Sequence, residues 1–143
     1  MEKLNLPYFE FKIKKENKNK IILDEIRKIW VKLTPEEWVR QNFIKYLVYK
    51  DIPISLINCE KAFYINKVLK RYDIVVFNNK GDVEILVECK ASNIKISNKD
   101  FDQLMRYNIE LKSKFLILTN GLDHFYFKFI NKEMRYIQVK SFK

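Results

Sequence analysis

Hydrophobic and polar positions alternate at the start of the chain in the manner of β-strands. Residues 8–15 (YFEFKIKK) repeat apolar and polar positions at a period of two. A polar turn (ENKNK) follows, and residues 21–31 then form a second strand-like run. The pattern predicts an N-terminal β-hairpin. Residues 53–70 give no clear period, so a short helix and a strand both stay open there.

Two helices are predicted from their start signals. Residues 34–37 (TPEE) place a threonine at the N-cap, a proline at the first helical position and Glu37 as the capping-box partner. This helix is expected to run to about Tyr49. Residues 97–100 (SNKD) repeat the capping-box pattern, which predicts a second helix ending near Lys112.

The remaining hydrophobic runs are short and β-rich. A loop of sequence NNKGDV separates two of them as a hairpin would. With the second helix as a crossover, the runs are expected to form one mixed sheet, which makes the fold class α/β. No linker, repeat or low-complexity segment divides the chain, so one domain spanning 1–143 is expected. The predicted strands are 72–77, 84–91, 115–119, 124–129 and 135–139.

Composition narrows the function classes. The chain has 143 residues, with 28 Lys and Arg against 18 Asp and Glu, a formal charge of +10. This charge suits a polyanionic partner, and it equally suits an ordinary solvated surface. Two cysteines and one histidine exclude a disulfide framework and a multi-histidine metal site. Only two glycines are present, which excludes a Gly-rich phosphate loop.

Hydropathy also bears on location. The chain has no apolar run long enough for a signal peptide or a membrane span. We therefore expect a soluble cytoplasmic protein with no membrane partner, in which the cysteines stay reduced.

The central hairpin gathers chemically active side chains. If residue 77 pairs with 84 across the loop, opposite residue numbers sum to 161, which sets Asp73 opposite Glu88 with Cβ atoms roughly 4.5–5.5 Å apart. Glu88 and Lys90 project from the same face because they are two apart. The other face is apolar and is expected to be core. It carries Ile74, Val76, Ile85, Val87 and Cys89.

Two adjacent carboxylates raise each other's pKa unless a cation lies between them. A divalent cation such as Mg²⁺ would satisfy Asp73 and Glu88, because it accepts one or two carboxylates and keeps positions open for a phosphate. Lys90 could then orient a water and neutralise charge in a phosphodiester transition state. A surface ion-pair cluster of the same three residues remains the alternative interpretation.

The helices add weaker candidates. On a helical wheel the first helix has an apolar face made of Val39, Phe43, Tyr46 and Leu47. Glu36 falls near the centre of that face and is expected to point inward, whereas Glu37 falls off it. A helix-start acid that favours the helix dipole is the alternative for Glu36. Gln103 and Tyr107 share a face of the second helix, either as ligand contacts or as a polar shoulder.

Together these residues resemble the PD-(D/E)xK nuclease superfamily. Asp73 lies on a strand, Glu88-Cys89-Lys90 ends its hairpin partner, and Gln103-x-x-x-Tyr107 lies on the next helix. The closer likeness is to the N-terminal nuclease domain of type I restriction enzyme R subunits and their stand-alone relatives. It is carried by the stretches TPEEWVRQNFIKYL, RYDIVVF, VECKA, QLMRYN and LTNGLDHFYFKF, which cover about 34 to 130.

The resemblance implies a restriction-endonuclease-like sheet flanked by helices, with residues 1–33 as a hairpin extension and 34–143 as the nuclease core. It also implies Mg²⁺-dependent cleavage of DNA, with Mn²⁺ able to substitute. Asp73, Glu88 and the main-chain carbonyl of Cys89 would hold the metal. Tyr72 departs from the family pattern, because it stands where the superfamily name has proline.

The other site roles also come from the resemblance. Lys90 would orient the attacking water, and Glu36 would complete the metal site or its surroundings. Gln103 and Tyr107 would position DNA or a water. The chain is too short to include the ATP-driven motor of an R subunit, so other restriction-system subunits are possible partners.

Further alternatives stay open. The fold could serve as a non-catalytic DNA-binding or assembly module, although intact acids at Asp73 and Glu88 would oppose binding to a polyanion. RNA is not excluded as a substrate. A double-strand cut needs two active sites, which makes a homodimer a reasonable expectation.

Overall fold

The computed structural model describes all residues 1–143. The chain forms two α-helices and nine β-strands, with a 3-10 helix at Ile54–Leu56. The helices are α1 (Pro35–Tyr49) and α2 (Asn98–Leu111). The strands are β1 (Ile13–Glu16), β2 (Asn19–Asp24), β3 (Ile29–Lys32), β4 (Ile57–Ile65), β5 (Val68–Phe77), β6 (Val83–Cys89), β7 (Phe115–Thr119), β8 (His124–Ile130) and β9 (Arg135–Val139).

The strands are divided between two sheets. A three-stranded sheet has the order β1-β2-β3, and a six-stranded sheet has the order β4-β5-β6-β7-β8-β9. Strands β6 and β7 are parallel, since the chain crosses between them through α2, and the other neighbours are antiparallel. The prediction of an α/β fold with a central hairpin, a crossover helix and one mixed sheet is confirmed.

The N-terminal segment differs from the predicted hairpin. Residues 8–12 are not in a strand, and the run 21–31 is two strands, β2 and β3. Asp24 causes the division, because its Oδ1 accepts hydrogen bonds from the backbone N–H groups of Ile26 and Arg27, each at 2.9 Å. Lys28 completes the turn with a φ of +57°. A side chain that bonds its own following backbone favours a turn over a continuous strand.

Both helices begin where their caps predict. The Thr34 hydroxyl accepts from the Glu37 backbone N–H at 3.0 Å, and Ser97 and Asp100 form a complete capping box. Glu37 does not return the bond to the N-cap, so the predicted capping box of α1 is only half formed. Neither helix has the length and hydropathy needed to cross a membrane.

The helices cover opposite faces of the six-stranded sheet. The predicted apolar face of the central hairpin is confirmed as core and packs against α1. The other face packs against Leu104 of α2. Because both faces are covered, polar side chains on β5 and β6 are shielded from water unless they lie near a strand end. The core on the α1 side includes Val39, Phe43, Leu47, Ile74, Val76, Ile85, Val87 and Cys89.

The loop between β7 and β8 supports a close contact that only glycine allows. Gly121 has a φ of +86°, and a Cβ built there would lie 2.8 Å from Leu4 Cδ2 and 3.1 Å from Val39 Cγ2. Gly81 has a similar φ of +84° but nothing within 4 Å of a Cβ. Substitutions at the two glycines therefore allow the cost of backbone strain to be separated from the cost of steric overlap.

We expect Gly121→Ala to lower the free energy of unfolding more than Gly81→Ala. Both variants strain the backbone by about 1–2 kcal/mol, and overlap at Gly121 adds about 1–3 kcal/mol. Urea unfolding of the two variants measures the difference. Equal destabilisation would show that Leu4 moves aside freely.

Candidate active site

The central hairpin has the predicted register at its centre. Ile74 pairs with Val87, and the next two pairs also sum to 161. The predicted pairing of 77 with 84 is wrong, because a bulge shifts Phe77 onto Val83. The bulge adjoins a tight turn in which Asn78 Oδ1 accepts from the backbone N–H groups of residues 80 and 82. The slip is therefore local to the turn.

The two strands separate at the other end of this ladder. Beyond the pair Ile74–Val87, β5 continues beside β4 while β6 continues beside β7. The Asp73 side chain bridges the gap, since its Oδ2 accepts a hydrogen bond from the Cys89 backbone N–H at 2.7 Å. Asp73 is thus tied to the end of β6 by its side chain.

Side-chain alternation also breaks at Asp73. Tyr72 packs on the α2 side of the sheet, whereas Ile74, two residues later, packs on the α1 side. On the neighbouring strand Glu60 has a φ of +57°, and the β4–β5 ladder has no pair between Glu60 and Asp73. An irregularity of this kind re-aims the side chains around it.

Lys70 is brought into the site by this break. It lies four residues before Ile74, so strict alternation would put both side chains on the α1 side of the sheet. Instead its Nζ lies 3.7 Å from Glu88 Oε1 and 5.8 Å from the centre of the Tyr107 ring. Sequence reasoning missed Lys70, because the pattern contains no signal for the irregularity.

Glu88 is the most perturbed carboxyl group of the site. Its side chain is 18% exposed. Burial and the neighbouring charge of Asp73 raise its pKa from 4.5 to about 7. Its Oε1 is buried without a hydrogen-bond partner, as is the Tyr72 hydroxyl, whose pKa is raised by burial and by Glu88. A buried carboxylate oxygen without a donor is unfavourable and would gain from a cation or a proton.

Glu88 opens into a cavity of about 110 Å³ between the sheet and α2. Lys90, Gln103 and Tyr107 line it as well, so four of the predicted site residues share one cavity. Lys90 Nζ lies 3.8 Å from Asp100 Oδ1, which brings the α2 capping residue to the same cavity. Gln103 is exposed and reaches the cavity from its rim.

The predicted orientations of the two acids at the start of α1 are reversed. The Glu36 side chain is 52% exposed, whereas that of Glu37 is 9% exposed. The wheel placed Glu37 off the apolar face, but the N-terminal sheet covers that side of α1, as shown by the contact of 3.4 Å between Arg27 Nη2 and Glu37 Oε1. Glu36 still lies near the site, because its Oε1 is 3.6 Å from Arg40 Nη2. Partial burial and the charge of Asp73 raise its pKa.

Arg40 is a second residue that sequence reasoning missed. Its guanidinium is buried, and Nη2 lies 2.7 Å from both Asp73 Oδ1 and Glu60 Oε1. Nη1 donates to Glu37 Oε1 at 2.8 Å. Arg40 follows Glu37 by three residues and Glu36 by four, and these spacings indicate an ion pair on α1. They gave no sign that the arginine would be buried against two strands.

Two carboxylates of the site are available to a metal ion. No three His, Cys, Asp or Glu side chains group closely enough to form a metal site by themselves. A divalent cation would rest on two carboxylates, Asp73 and Glu88, with main-chain and water oxygens completing its shell. The unpartnered Glu88 Oε1 and the raised pKa of that carboxyl fit such a group.

Comparison with known families assigns most of the chain to one family. The family described as type I restriction enzyme R protein N terminus matches residues 35–142. The chain belongs to this family. The match begins with α1 and ends after β9, so β1, β2 and β3 lie outside it. Membership confirms the resemblance inferred from the motifs and supports a role in a restriction system. No curated protein matches the chain significantly.

The raised pKa of Glu88 predicts how stability depends on pH in the absence of metal. The folded protein keeps the Glu88 proton up to about pH 7, whereas the unfolded chain releases it near 4.5. Stability should therefore fall as the pH rises through this window. Glu88→Gln cannot ionise, so it should match the wild type near about pH 4–5 and exceed it by roughly 3 kcal/mol at about pH 8.

Urea unfolding of both proteins across this pH range, with EDTA present, measures the effect. Glu84→Gln, on the same strand, is the matched control and should follow the wild type. A wild type and Glu88→Gln variant with parallel pH curves would contradict the raised pKa.

Proposed function

We propose that this chain is a Mg²⁺-dependent endonuclease domain that hydrolyses DNA phosphodiester bonds as part of a restriction system. The proposal rests on one observation above others. The largely buried carboxylate of Glu88, with an oxygen lacking a partner, faces a cavity that also holds Lys90. Membership in the R protein N-terminal family supports the same activity.

The metal would be held by Asp73, Glu88 and the main-chain carbonyl of Cys89. When bound, Mg²⁺ would polarise the phosphodiester and stabilise the charge that develops on its oxygens, and Mn²⁺ could replace it. Glu36, half exposed and beside Arg40, is suited to bonding water molecules around the metal.

The lysines and the α2 residues act on the substrate directly. Lys90 donates hydrogen bonds to the attacking water or to a phosphate oxygen, with its position steadied by Asp100 at 3.8 Å. Gln103 and Tyr107 line the same cavity and position the DNA strand. Lys70, beside Glu88, adds a second positive charge for the phosphate.

The distribution of charge suits DNA as the substrate. Residues 71–96, which contain Asp73, Glu88 and Lys90, carry 4 basic and 4 acidic groups. Residues 1–34 and 97–143 each carry 9 basic and 5 acidic groups. The acids are thus balanced where a metal would add charge, while the segments around them are positive, as backbone binding requires. Other restriction-system subunits and a second copy of the chain are the proposed protein partners.

One observation favours a second function, a DNA-binding or assembly module without turnover. Both oxygens of Asp73 already have donors, Arg40 Nη2 and the Cys89 N–H, each at 2.7 Å. Asp73 is therefore satisfied without any metal. Glu88 is not, which is why the nuclease is the better supported of the two.

Plasmid cleavage tests the nuclease. Purified protein with Mg²⁺ should nick or linearise the DNA, and EDTA should stop the reaction. Asp73→Ala and Lys90→Ala should each reduce the rate by about 100-fold or more, because the first removes a metal ligand and the second removes a group that stabilises developing charge. Asp82→Ala and Lys80→Ala, in the exposed turn of the same hairpin, should retain the wild-type rate.

Two results would refute the nuclease. One is the lack of cleavage with any divalent metal, and the other is cleavage that survives both site substitutions. A salt-sensitive gel shift that is unaffected by EDTA and by Glu88→Ala, in a protein that does not cleave, would establish the binding module instead.

A further inference from the structure

A single buried arginine joins α1 to the two strands that carry the acids. Arg40 has a side chain that is 7% exposed. Its Nη1 donates to Glu37 Oε1 at 2.8 Å, and its Nη2 lies 2.7 Å from Asp73 Oδ1 and 2.7 Å from Glu60 Oε1. Glu36 Oε1 is farther away, at 3.6 Å. A planar guanidinium fixes its donors relative to one another, so it can set the positions of several carboxylates at once.

Asp73 is held from two sides by this arrangement. Arg40 donates to Oδ1 and the Cys89 backbone N–H donates to Oδ2, both at 2.7 Å. The carboxylate cannot rotate without breaking one of these charge-assisted bonds. Its plane relative to Glu88 is therefore fixed by one group from α1 and one from β6.

Glu60 has an unusual backbone where it meets Arg40. Its φ of +57° lies in the left-handed region, which is unfavourable for a residue with a Cβ inside a strand. Such strain persists where surrounding contacts require it. Here the conformation brings the Glu60 carboxylate to within 2.7 Å of the same Nη2 that holds Asp73.

The N-terminal sheet fixes Arg40 in turn. Gln41 Nε2 donates to Glu37 Oε2 at 2.9 Å and to Asp24 Oδ2 at 3.0 Å. Arg27 Nε donates to the same Asp24 oxygen at 2.6 Å, and its Nη2 lies 3.4 Å from Glu37 Oε1. Asp24 is completely buried. A continuous set of polar contacts thus runs from the end of β2 to Glu37, which holds Arg40.

We propose that Arg40 is a positioning residue for Asp73, and that the N-terminal sheet acts on the site through it. This role of Arg40 rests on the proposed function only in that Asp73 is taken as a metal ligand. Asp24 and Arg27 lie outside the family match of 35–142, so this support is a property of the present chain beyond what the match covers. The N-terminal sheet is then part of the site's framework.

Amide hydrogen exchange at Cys89 tests the positioning directly, because the Cys89 N–H bonds to Asp73 and needs neither metal nor DNA. In Arg40→Gln we expect this amide to exchange at least about tenfold faster than in the wild type. The amides of residues 86 and 87, earlier on β6, serve as the internal reference and should change less. Arg135→Gln, at an exposed arginine of β9 that pairs with Glu133, is the matched control. It should change neither the exchange at Cys89 nor that at residues 86 and 87.

The second readout is cleavage kinetics per folded molecule. Arg40→Gln should lower kcat by about 10- to 100-fold with little change in KM for DNA, because Asp73 is misplaced while DNA contacts remain. Arg27→Gln should change kcat in the same direction by a smaller factor. Arg40→Lys keeps the charge but cannot reach both Glu37 and Asp73, so it should not restore kcat.

Two outcomes would overturn the proposal. The first is unchanged Cys89 exchange in folded Arg40→Gln, and the second is a wild-type kcat per folded molecule in that variant. Should Arg40→Gln fail to fold, Arg40→Lys and Arg27→Gln carry the same comparisons. If the wild type does not cleave DNA but Cys89 exchange still responds to Arg40, the nuclease proposal fails while the positioning role of Arg40 stands.

Discussion

The need to compensate buried carboxylates governs this structure. Asp73 and Glu88 lie where β5 and β6 separate, on a sheet covered on both faces by helices. Asp73 is compensated by Arg40 and a backbone N–H, whereas Glu88 has only Lys70 at 3.7 Å and an oxygen without a hydrogen bond. The two acids therefore differ in kind, since one is satisfied by the fold and the other is left in need of a cation or a proton.

This asymmetry divides the work of the site. A carboxylate held from two sides offers a fixed position, and a carboxylate whose pKa is raised to about 7 gains most when positive charge arrives. A carboxyl group whose pKa is raised by burial and by a neighbouring charge is typical of functional sites. The fold supplies the fixed position of Asp73 through α1, and it supplies the raised pKa of Glu88 through burial against α2.

A local irregularity makes the arrangement possible. The left-handed Glu60 and the broken alternation at Asp73 bring side chains from β4, β5 and α1 to one guanidinium. The same break turns Lys70 toward Glu88. A regular ladder would have placed Lys70 on the α1 side with Ile74, away from Glu88, so one departure from regular β-structure serves both acids.

The sequence by itself determined the elements whose signals are local. Capping residues located the starts of α1 and α2, and period-two patterns located the strands of the central hairpin, with the register near Ile74 and the apolar core face. These features depend on residues close together in the chain, or on one repeating period. The motifs spread over about 34 to 130, taken together, also sufficed to identify the family.

Only the tertiary structure decided which polar groups became buried. The wheel placed Glu36 inward and Glu37 outward, and the N-terminal sheet reversed this by covering the side of α1 that carries Glu37. Arg40 and Lys70 entered the site for the same reason, because their partners come from distant strands and from a break in alternation that leaves no pattern in the sequence. Burial is a property of the whole fold. Local periodicity assigns charged residues to water, so it does not indicate which of them the fold encloses.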